Sequence, residues 1–296
     1  MQREAQLVVV PTEVGRGPPY ADDRASTVEG RFGVRIVVIG GTGLIGSKVV
    51  SALADQGHEA VPASPRLGIN TITGEGLDAA LDGASVVVDV SNSPNFEYAT
   101  ALDFFATSTS NLLRACSRAG VGHHVALSVV GTKELSESGD LTKTTAGYFL
   151  AKRIEEALVE TSGMPYTIVH ATQFFEFIKS IADVSTEGTT VRIPPVAFQP
   201  MAAEDVSKAV ARVAVGAPVN GLVEVAGPDR LRFDEAVALA LAAMHDPRTV
   251  IADPAATYYG MPVRENTLVP GDGAKLGEVR LDDWLRQAAA VPAGVA

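Results

Sequence analysis

The sequence has little cysteine and little basic charge. Its 296 residues include one cysteine, Cys116, so the chain cannot build an internal disulfide framework or a cysteine-rich zinc site. Lysine and arginine number 24 against 35 aspartates and glutamates, and the formal net charge is −11. Because a protein that binds duplex nucleic acid must neutralise phosphates with a basic face, this balance argues against a nucleic-acid partner.

Long apolar runs are also missing. No stretch approaches the roughly 18 consecutive apolar residues that cross a bilayer, and the N-terminus lacks the basic-then-apolar layout of a secretion signal. We therefore expect a soluble, cytoplasmic protein without a membrane partner. Hydrophobic residues nevertheless make up 46% of the chain, which is enough for a sizeable core, and we expect Cys116 to lie in it.

The first 33 residues differ in composition from the remainder. They mix charged residues with Gly15, Gly17, Pro18 and Pro19, which is typical of disordered segments. We expect residues 1–33 to be a disordered extension. The alternative is that translation begins near Val34, where the first strand of a domain begins.

From Val34 onward, short apolar runs alternate with segments of helical periodicity. The strands are predicted at 34–39, 59–64, 85–90, 124–130 and 166–170, and the helices at 44–56, 77–81, 98–119 and 146–161. This alternation predicts right-handed βαβ units and an α/β fold, a doubly wound, Rossmann-like parallel sheet. We expect residues 34–174 to form this core. Residues 175–296, with helices near 203–215 and 233–244, are expected to form a small C-terminal α+β lobe packed on it.

A glycine-rich turn lies between the first strand and the first helix. Gly40 suits a tight turn, Gly43 lets the backbone approach a pyrophosphate, and Gly46 lets the helix pack close to the sheet. Amide groups at the helix N-terminus also favour phosphate. The turn therefore predicts a dinucleotide site, although its spacing differs from G-x-G-x-x-G and a plain turn is the alternative. The predicted contacts are Gly40, Thr42, Gly43, Leu44, Ile45 and Gly46.

The end of the second strand bears on the choice between NAD and NADP. A carboxylate there would bind the ribose 2′-hydroxyl of NAD, but the sequence reads Ala63-Ser64-Pro65-Arg66. We expect Ser64 and Arg66 to hold the 2′-phosphate of NADP, which makes NADP the preferred cofactor and leaves NAD as the alternative. An ordinary surface arginine at position 66 is the competing interpretation.

Tyr148 and Lys152 are four residues apart in a predicted helix, so they share a face. A lysine ammonium lowers the pKa of a nearby phenol, and such a tyrosine can exchange a proton with a carbonyl or an alcohol. Ser128, at the end of the preceding strand, can bind the same oxygen. We predict these three as catalytic residues, with a chance Tyr–Lys pair as the alternative. Glu155 and Glu156, on the same helix, are expected to face solvent.

The turn, Ser128 and the run Tyr148-Phe149-Leu150-Ala151-Lys152 resemble the short-chain dehydrogenase/reductase superfamily. The resemblance is closest to its atypical branch, the NmrA-like NAD(P)H-binding proteins, and it spans roughly residues 34–287. It implies that the residues after the strands at 85–90 and 166–170 flank the cofactor, with Lys152 on the nicotinamide ribose. The further contacts implied in this way are Ser91, Asn92, Ala171 and Phe174.

The resemblance implies an NAD(P)H-dependent oxidoreductase that moves hydride to or from a small carbonyl, quinone or enone. A non-catalytic redox sensor that binds NAD(P), and an NAD(P)-dependent isomerase or epimerase, are the alternatives. Phe174, Phe175 and Phe177 either pack in the core or line a substrate pocket. Adjacent strand residues His123 and His124 point to opposite faces, so we expect no metal site. A monomer and a homodimer are both compatible with the sequence.

Overall fold

The computed structural model describes residues 33–138 and 146–290. The expectations for residues 1–32 lie outside the described residues. The strands are β1 (Arg35–Ile39), β2 (Glu59–Ala63), β3 (Val86–Asp89), β4 (His123–Val129), β5 (Tyr166–Ala171), β6 (Thr186–Glu187), β7 (Thr190–Ile193), β8 (Ala197–Phe198), β9 (Gly221–Ala226), β10 (Leu231–Arg232), β11 (Thr249–Ala252) and β12 (Lys275–Leu276). The helices are α1 (Leu44–Asp55), α2 (Leu77–Leu81), α3 (Tyr98–Ala119), α4 (Thr132–Ser138), α5 (Ala146–Glu160), α6 (Ile178–Val184), α7 (Ala203–Ala214), α8 (Phe233–Ala243) and α9 (Leu281–Ala290).

A seven-stranded sheet organises the fold, with strand order β12-β9-β5-β4-β3-β1-β2. Every neighbouring pair in it is parallel. The chain winds outward from β1 to β2 and then crosses to β3 on the other side, so the winding reverses between β1 and β3. Ligands of open α/β sheets bind at the carboxyl ends of the strands at such a point. The predicted doubly wound, Rossmann-like α/β fold is confirmed.

Helices cover both faces of this sheet. On one face, α1 and α7 pack through residues such as Val49, Leu53 and Val206. On the other face, α2 and α3 contribute Leu81 and Cys116, and the cysteine is fully buried as predicted. Strands that are covered on both sides are expected to be apolar throughout, which explains the continuous valine and isoleucine runs.

The described residues after 174 contribute both to the main sheet and to a smaller part packed on it. The described residues from Gly33 onward form one compact unit. After the small strands β6 to β8 it returns to the main sheet, where α7 packs beside α1 and β9 pairs with β5. The smaller part therefore consists of α6, α8, α9 and the short sheets β11-β7-β6 and β10-β8. The division at residue 174 is not a boundary in the sheet, because later residues complete it.

None of the helices in the described ranges is long and apolar enough to cross a membrane. Likewise, within residues 33–138 and 146–290, histidine, cysteine and carboxylate side chains form no group of three that could hold a metal ion.

Candidate functional site

A cavity of about 930 Å³ opens at the carboxyl ends of the sheet strands, where the winding reverses. Its walls come from the β1–α1 turn, the segments after β2 and β3, the ends of β4 and β5, helix α5 and the smaller part of the fold. The volume lies near the top of the range of about 300–1,000 Å³ for small-molecule and cofactor sites. A cavity of this volume can hold one dinucleotide together with a small second ligand.

The glycine turn forms one wall of the cavity. Gly40 has a φ of +77°, in the left-handed region that favours glycine. A Cβ atom on Gly46 would lie 2.1 Å from the backbone oxygen of Gly40, so the close approach of α1 to the turn requires glycine there. Gly43 is the N-cap of α1 and has no side chain to bond the first helical amides. Those amides therefore need another acceptor, such as a phosphate oxygen.

Most residues predicted to contact the cofactor lie in the cavity wall. Two do not, because Gly46 is buried behind the turn and Arg66 is exposed on the short turn Pro65–Leu67. The prediction that Arg66 joins Ser64 in holding a 2′-phosphate stays a prediction, since Arg66 is exposed and directly follows the lining residues Ser64 and Pro65. The residues that do line the cavity are Gly40, Thr42, Gly43, Leu44, Ile45, Ser64, Ser91, Asn92, Lys152, Ala171 and Phe174.

Ser64 has the surroundings of a ligand contact. Its side chain is buried, and its hydroxyl has no hydrogen-bond partner among the described residues. A buried hydroxyl without a partner is costly, so a ligand oxygen in the cavity would satisfy it. Of the described residues in the cavity wall, none is an aspartate or glutamate. Within the described part of the wall, no carboxylate is present to favour a free ribose 2′-hydroxyl.

The three predicted catalytic residues meet in the cavity wall, where α5 places Tyr148 and Lys152 near Ser128 at the end of β4. The Tyr148 hydroxyl donates to Oδ1 of Asn92 at 3.2 Å, and Nζ of Lys152 donates to the carbonyl oxygen of Leu127 at 2.8 Å. Burial raises the pKa of Tyr148, although the Lys152 charge acts in the opposite direction. The phenol is therefore protonated at neutral pH and can serve as a proton donor.

Ser128 does not turn its proton toward the cavity. Its hydroxyl donates to the carboxylate of Glu156, which also accepts from Nε2 of His170 at 2.9 Å. Burial opposes ionisation of Glu156, but these hydrogen bonds and the nearby Lys152 charge lower its pKa overall. Because an ionised carboxylate only accepts hydrogen bonds, Ser128 offers the cavity lone pairs alone. It can bind a hydroxyl group there, but not a carbonyl oxygen.

The expectation that Glu155 and Glu156 face solvent is wrong. Their exposed fractions are 2% and 4%, because α5 packs against α3, α4 and the sheet. Glu155 forms an ion pair with Lys152, which is itself 3% exposed. The sequence did contain a signal: Glu155 and Glu156 follow Lys152 by three and four residues, so all three lie on neighbouring parts of one helix face.

The far end of the cavity is aromatic. The ring of Phe96 meets that of Tyr148 edge-on at 4.9 Å, and Phe174 stacks on Phe177 at 5.6 Å. Phe175, by contrast, belongs to the core. Among the described lining residues Lys152 is the sole charged side chain, so this compartment suits a flat, uncharged ligand. The aromatic lining residues are Phe96, Phe104, Tyr148, Phe149, Phe174, Phe177, Tyr258 and Tyr259.

Sequence reasoning missed Phe96, Tyr258 and Tyr259. They lie outside the regular strand and helix patterns, and only the fold brings them to Tyr148. Two further polar side chains of the wall, Thr172 and Gln173, are buried without hydrogen-bond partners among the described residues. They follow β5 directly and add unsatisfied donors and acceptors to the cavity.

Comparison with known proteins identifies relatives of the chain. A family model described as NAD(P)H-binding matches residues 40–215. The photosystem II assembly factor Ycf39 of Synechocystis sp. is 24% identical over 195 residues, which are 60% of this chain and 58% of that protein. The chain therefore matches less than two thirds of this relative's length.

Solved structures with a similar fold cover most of the chain. A short-chain dehydrogenase/reductase superfamily protein from Agrobacterium tumefaciens, with bound NAD, has a TM-score of 0.65 at 18% identity and covers 86% of this chain and 96% of its own. A nucleoside-diphosphate-sugar epimerase from Staphylococcus aureus has a TM-score of 0.62 at 14% identity, and the match covers 86% of this chain and 100% of that protein. At these identities the likeness concerns the fold alone, and it agrees with the predicted Rossmann-like α/β sheet.

Proposed function

Because the chain belongs to the NAD(P)H-binding family, we propose that it is an NADPH-dependent oxidoreductase acting on a small carbonyl, quinone or enone. One observation carries this proposal. The glycine turn, the pair Tyr148 and Lys152, and an uncharged aromatic compartment all line the same cavity. A cavity with these parts can hold the nicotinamide cofactor, a flat substrate and a proton donor side by side.

Different residues of the wall would contact different parts of a bound dinucleotide. The turn from Gly40 to Gly46 and the N-terminus of α1 would take the pyrophosphate. Ser64 would bind the adenosine ribose or its 2′-phosphate, and the absence of a carboxylate among the described lining residues supports NADP over NAD. Ser91 and Asn92 would flank the adenosine and the ribose, and Asn92 also contacts the proton donor Tyr148. Ala171 and Phe174 would lie against the nicotinamide, and the bound cofactor would supply hydride.

Tyr148 is the proton donor in this proposal. Its O–H bond breaks as a new O–H bond forms at the substrate oxygen, which leaves a phenolate on the protein. The ammonium of Lys152 stabilises that phenolate because opposite charges favour ionisation. Ser128 accepts a hydrogen bond from the hydroxyl of the product, since its own proton is held by Glu156.

The wall also bears on the alternative of a nucleotide-sugar epimerase. A substrate diphosphate is usually held by arginine or lysine side chains. Here Lys152 is the one charged residue among the described lining residues, and it is already paired with Glu155. The aromatic compartment therefore favours an uncharged substrate.

Turnover by wild type and Tyr148→Phe tests the proposal. We expect wild type to oxidise NADPH with at least one member of a panel of quinones, enones and aldehydes, followed by absorbance. Loss of the proton donor should lower kcat by about 100-fold or more without weakening NADPH binding. Tyr166→Phe, on β5 outside the cavity wall, is the matched control. Equal turnover in Tyr148→Phe would contradict the role of Tyr148, and tight NADPH binding without turnover on any substrate would favour a sensor.

A further inference from the structure

Glu155 is a buried acid beside the proposed proton donor, and the proposed reaction assigns it no role. Tyr148, Lys152 and Glu155 follow one another at intervals of four and three residues, so they form one line along the inner face of α5. Lys152 is 3% exposed and Glu155 is 2% exposed. A carboxylate so far from water requires a compensating partner or a proton.

The partner of Glu155 is Lys152. The ammonium group of Lys152 contacts the Glu155 carboxylate, donates to the carbonyl oxygen of Leu127, and lies 4.6 Å from the centre of the Phe105 ring. Its charge therefore acts both on the carboxylate of Glu155 and on the phenol of Tyr148. The state of Glu155 must then influence how much of the Lys152 charge acts on Tyr148.

We propose that Glu155 is a positioning residue that controls, through Lys152, how firmly Tyr148 holds its proton. The proposal rests on the proposed function in that it takes Tyr148 as the proton donor of the site. When Glu155 is ionised, it offsets the charge of Lys152, and the phenol keeps its proton. When Glu155 is neutral, the full charge of Lys152 favours the phenolate and makes Tyr148 a stronger acid.

This control operates near neutral pH. Burial raises the pKa of Glu155 to about 7, although Lys152 lowers it in part, while Asp89 on β3 and Glu156 on α5 raise it further. These are the charged groups that face Glu155, and Glu156 is itself bonded to His170 on β5. Glu155 thus takes up or releases its proton within the range in which the proposed reaction would run, and Tyr148 responds to the change.

A fluorine reporter at position 148 tests this inference. The full chain would carry a difluorinated tyrosine there, whose ring fluorines bring the phenol pKa into the range where the protein is folded. Fluorine NMR then follows the phenol from acid to alkaline pH without cofactor or substrate. We expect Glu155→Gln to lower the midpoint by about one pH unit, since it removes an anion that opposes Lys152. A second inflection near pH 7, caused by Glu155 in the wild-type chain, should disappear.

Glu156→Gln is the matched control, since it changes the next residue on the same helix, also buried; it should keep the inflection, at a lower pH because Glu156 no longer raises the pKa of Glu155. If Glu155→Gln does not fold, Lys152→Gln gives an independent test, because loss of the cation should abolish the inflection at Tyr148 and raise the midpoint of the phenol. An unchanged midpoint in folded Glu155→Gln, or an inflection that persists in it, would overturn the inference. Since the titration needs no turnover, it stands or falls separately from the assay of the proposed function.

Discussion

Gly46 shows how a single atom decides whether the turn can form. A Cβ atom there would lie 2.1 Å from the Gly40 oxygen and 2.7 Å from the Gly41 Cα, both of which are backbone atoms. On Gly43 the nearest atom to such a Cβ is at 3.3 Å. The two glycines are therefore required for different reasons, Gly46 for folding and Gly43 for access of a ligand.

We predict that Gly46→Ala lowers the free energy of unfolding by about 1–3 kcal/mol, since the helix must move away from the turn. Gly43→Ala should change it by less than about 0.5 kcal/mol but weaken NADPH binding, because its Cβ faces the phosphate site. Urea denaturation measures the first effect, and a cofactor titration measures the second. Equal stability of the two variants would refute this division of roles.

At the scale of single residues, the sequence predicted side chains whose chemistry depends on type and spacing. The glycine turn, Tyr148 and Lys152 were found in this way. The burial of Glu155 was not, because a glutamate on a helix is ordinarily solvated and only the packing of α3 and α4 removes water from it. The role predicted for Arg66 stays a prediction, because its side chain is exposed on the turn after Ser64.

Strand β4 carries two histidines in the interior of the sheet. Nε2 of His123 lies 2.9 Å from Oγ1 of Thr167, whereas neither ring nitrogen of His124 has a partner among the described residues. Burial and the neighbouring His124 lower the pKa of His123 to about 4, and burial lowers the pKa of His124 as well. Both rings are therefore neutral in the folded protein at pH 7.

The two buried histidines of β4 should make the stability of the fold sensitive to acid. In the unfolded chain both histidines take up protons near pH 6.5, whereas in the folded chain they stay neutral to lower pH. Their contribution to stability is present above about pH 6.5 and is lost as the pH falls toward about 4. We expect His124→Leu to reduce that loss, as measured by free energies of unfolding at several pH values. His245→Asn, on an exposed histidine, should leave the pH dependence unchanged. A wild-type slope in His124→Leu would contradict the account.

At the scale of elements, strands β1 to β5 and helices α1, α3, α5, α7 and α8 were predictable, because their apolar runs and periodicity are local. Helix α4 and two-residue strands such as β8 and β10 were not. Their pairing, for example Leu231 with Phe198, joins residues that are far apart in sequence. The return of the chain to add α7 and β9 has the same non-local origin.

For the whole molecule, the net charge does not explain how the site would bind an anionic cofactor. The chain carries a formal charge of −11, yet the proposed cofactor is itself an anion. Lys152 is the one charged side chain among the described lining residues of the cavity. Backbone amides at the N-terminus of α1 and the hydroxyl of Ser64 must therefore supply most of the attraction. Such short-range contacts depend less on ionic strength than a basic surface would.

Titration of the wild-type chain with NADPH shows whether this cavity is a dinucleotide site with an apolar end. We expect saturable binding of one NADPH per chain, tighter than that of NADH and only weakly dependent on salt. The nicotinamide fluorescence should rise and shift to shorter wavelength, because the ring enters the compartment lined by Phe174 and Phe177. Absence of saturable binding, or binding that leaves the nicotinamide fluorescence as in water, would contradict the account.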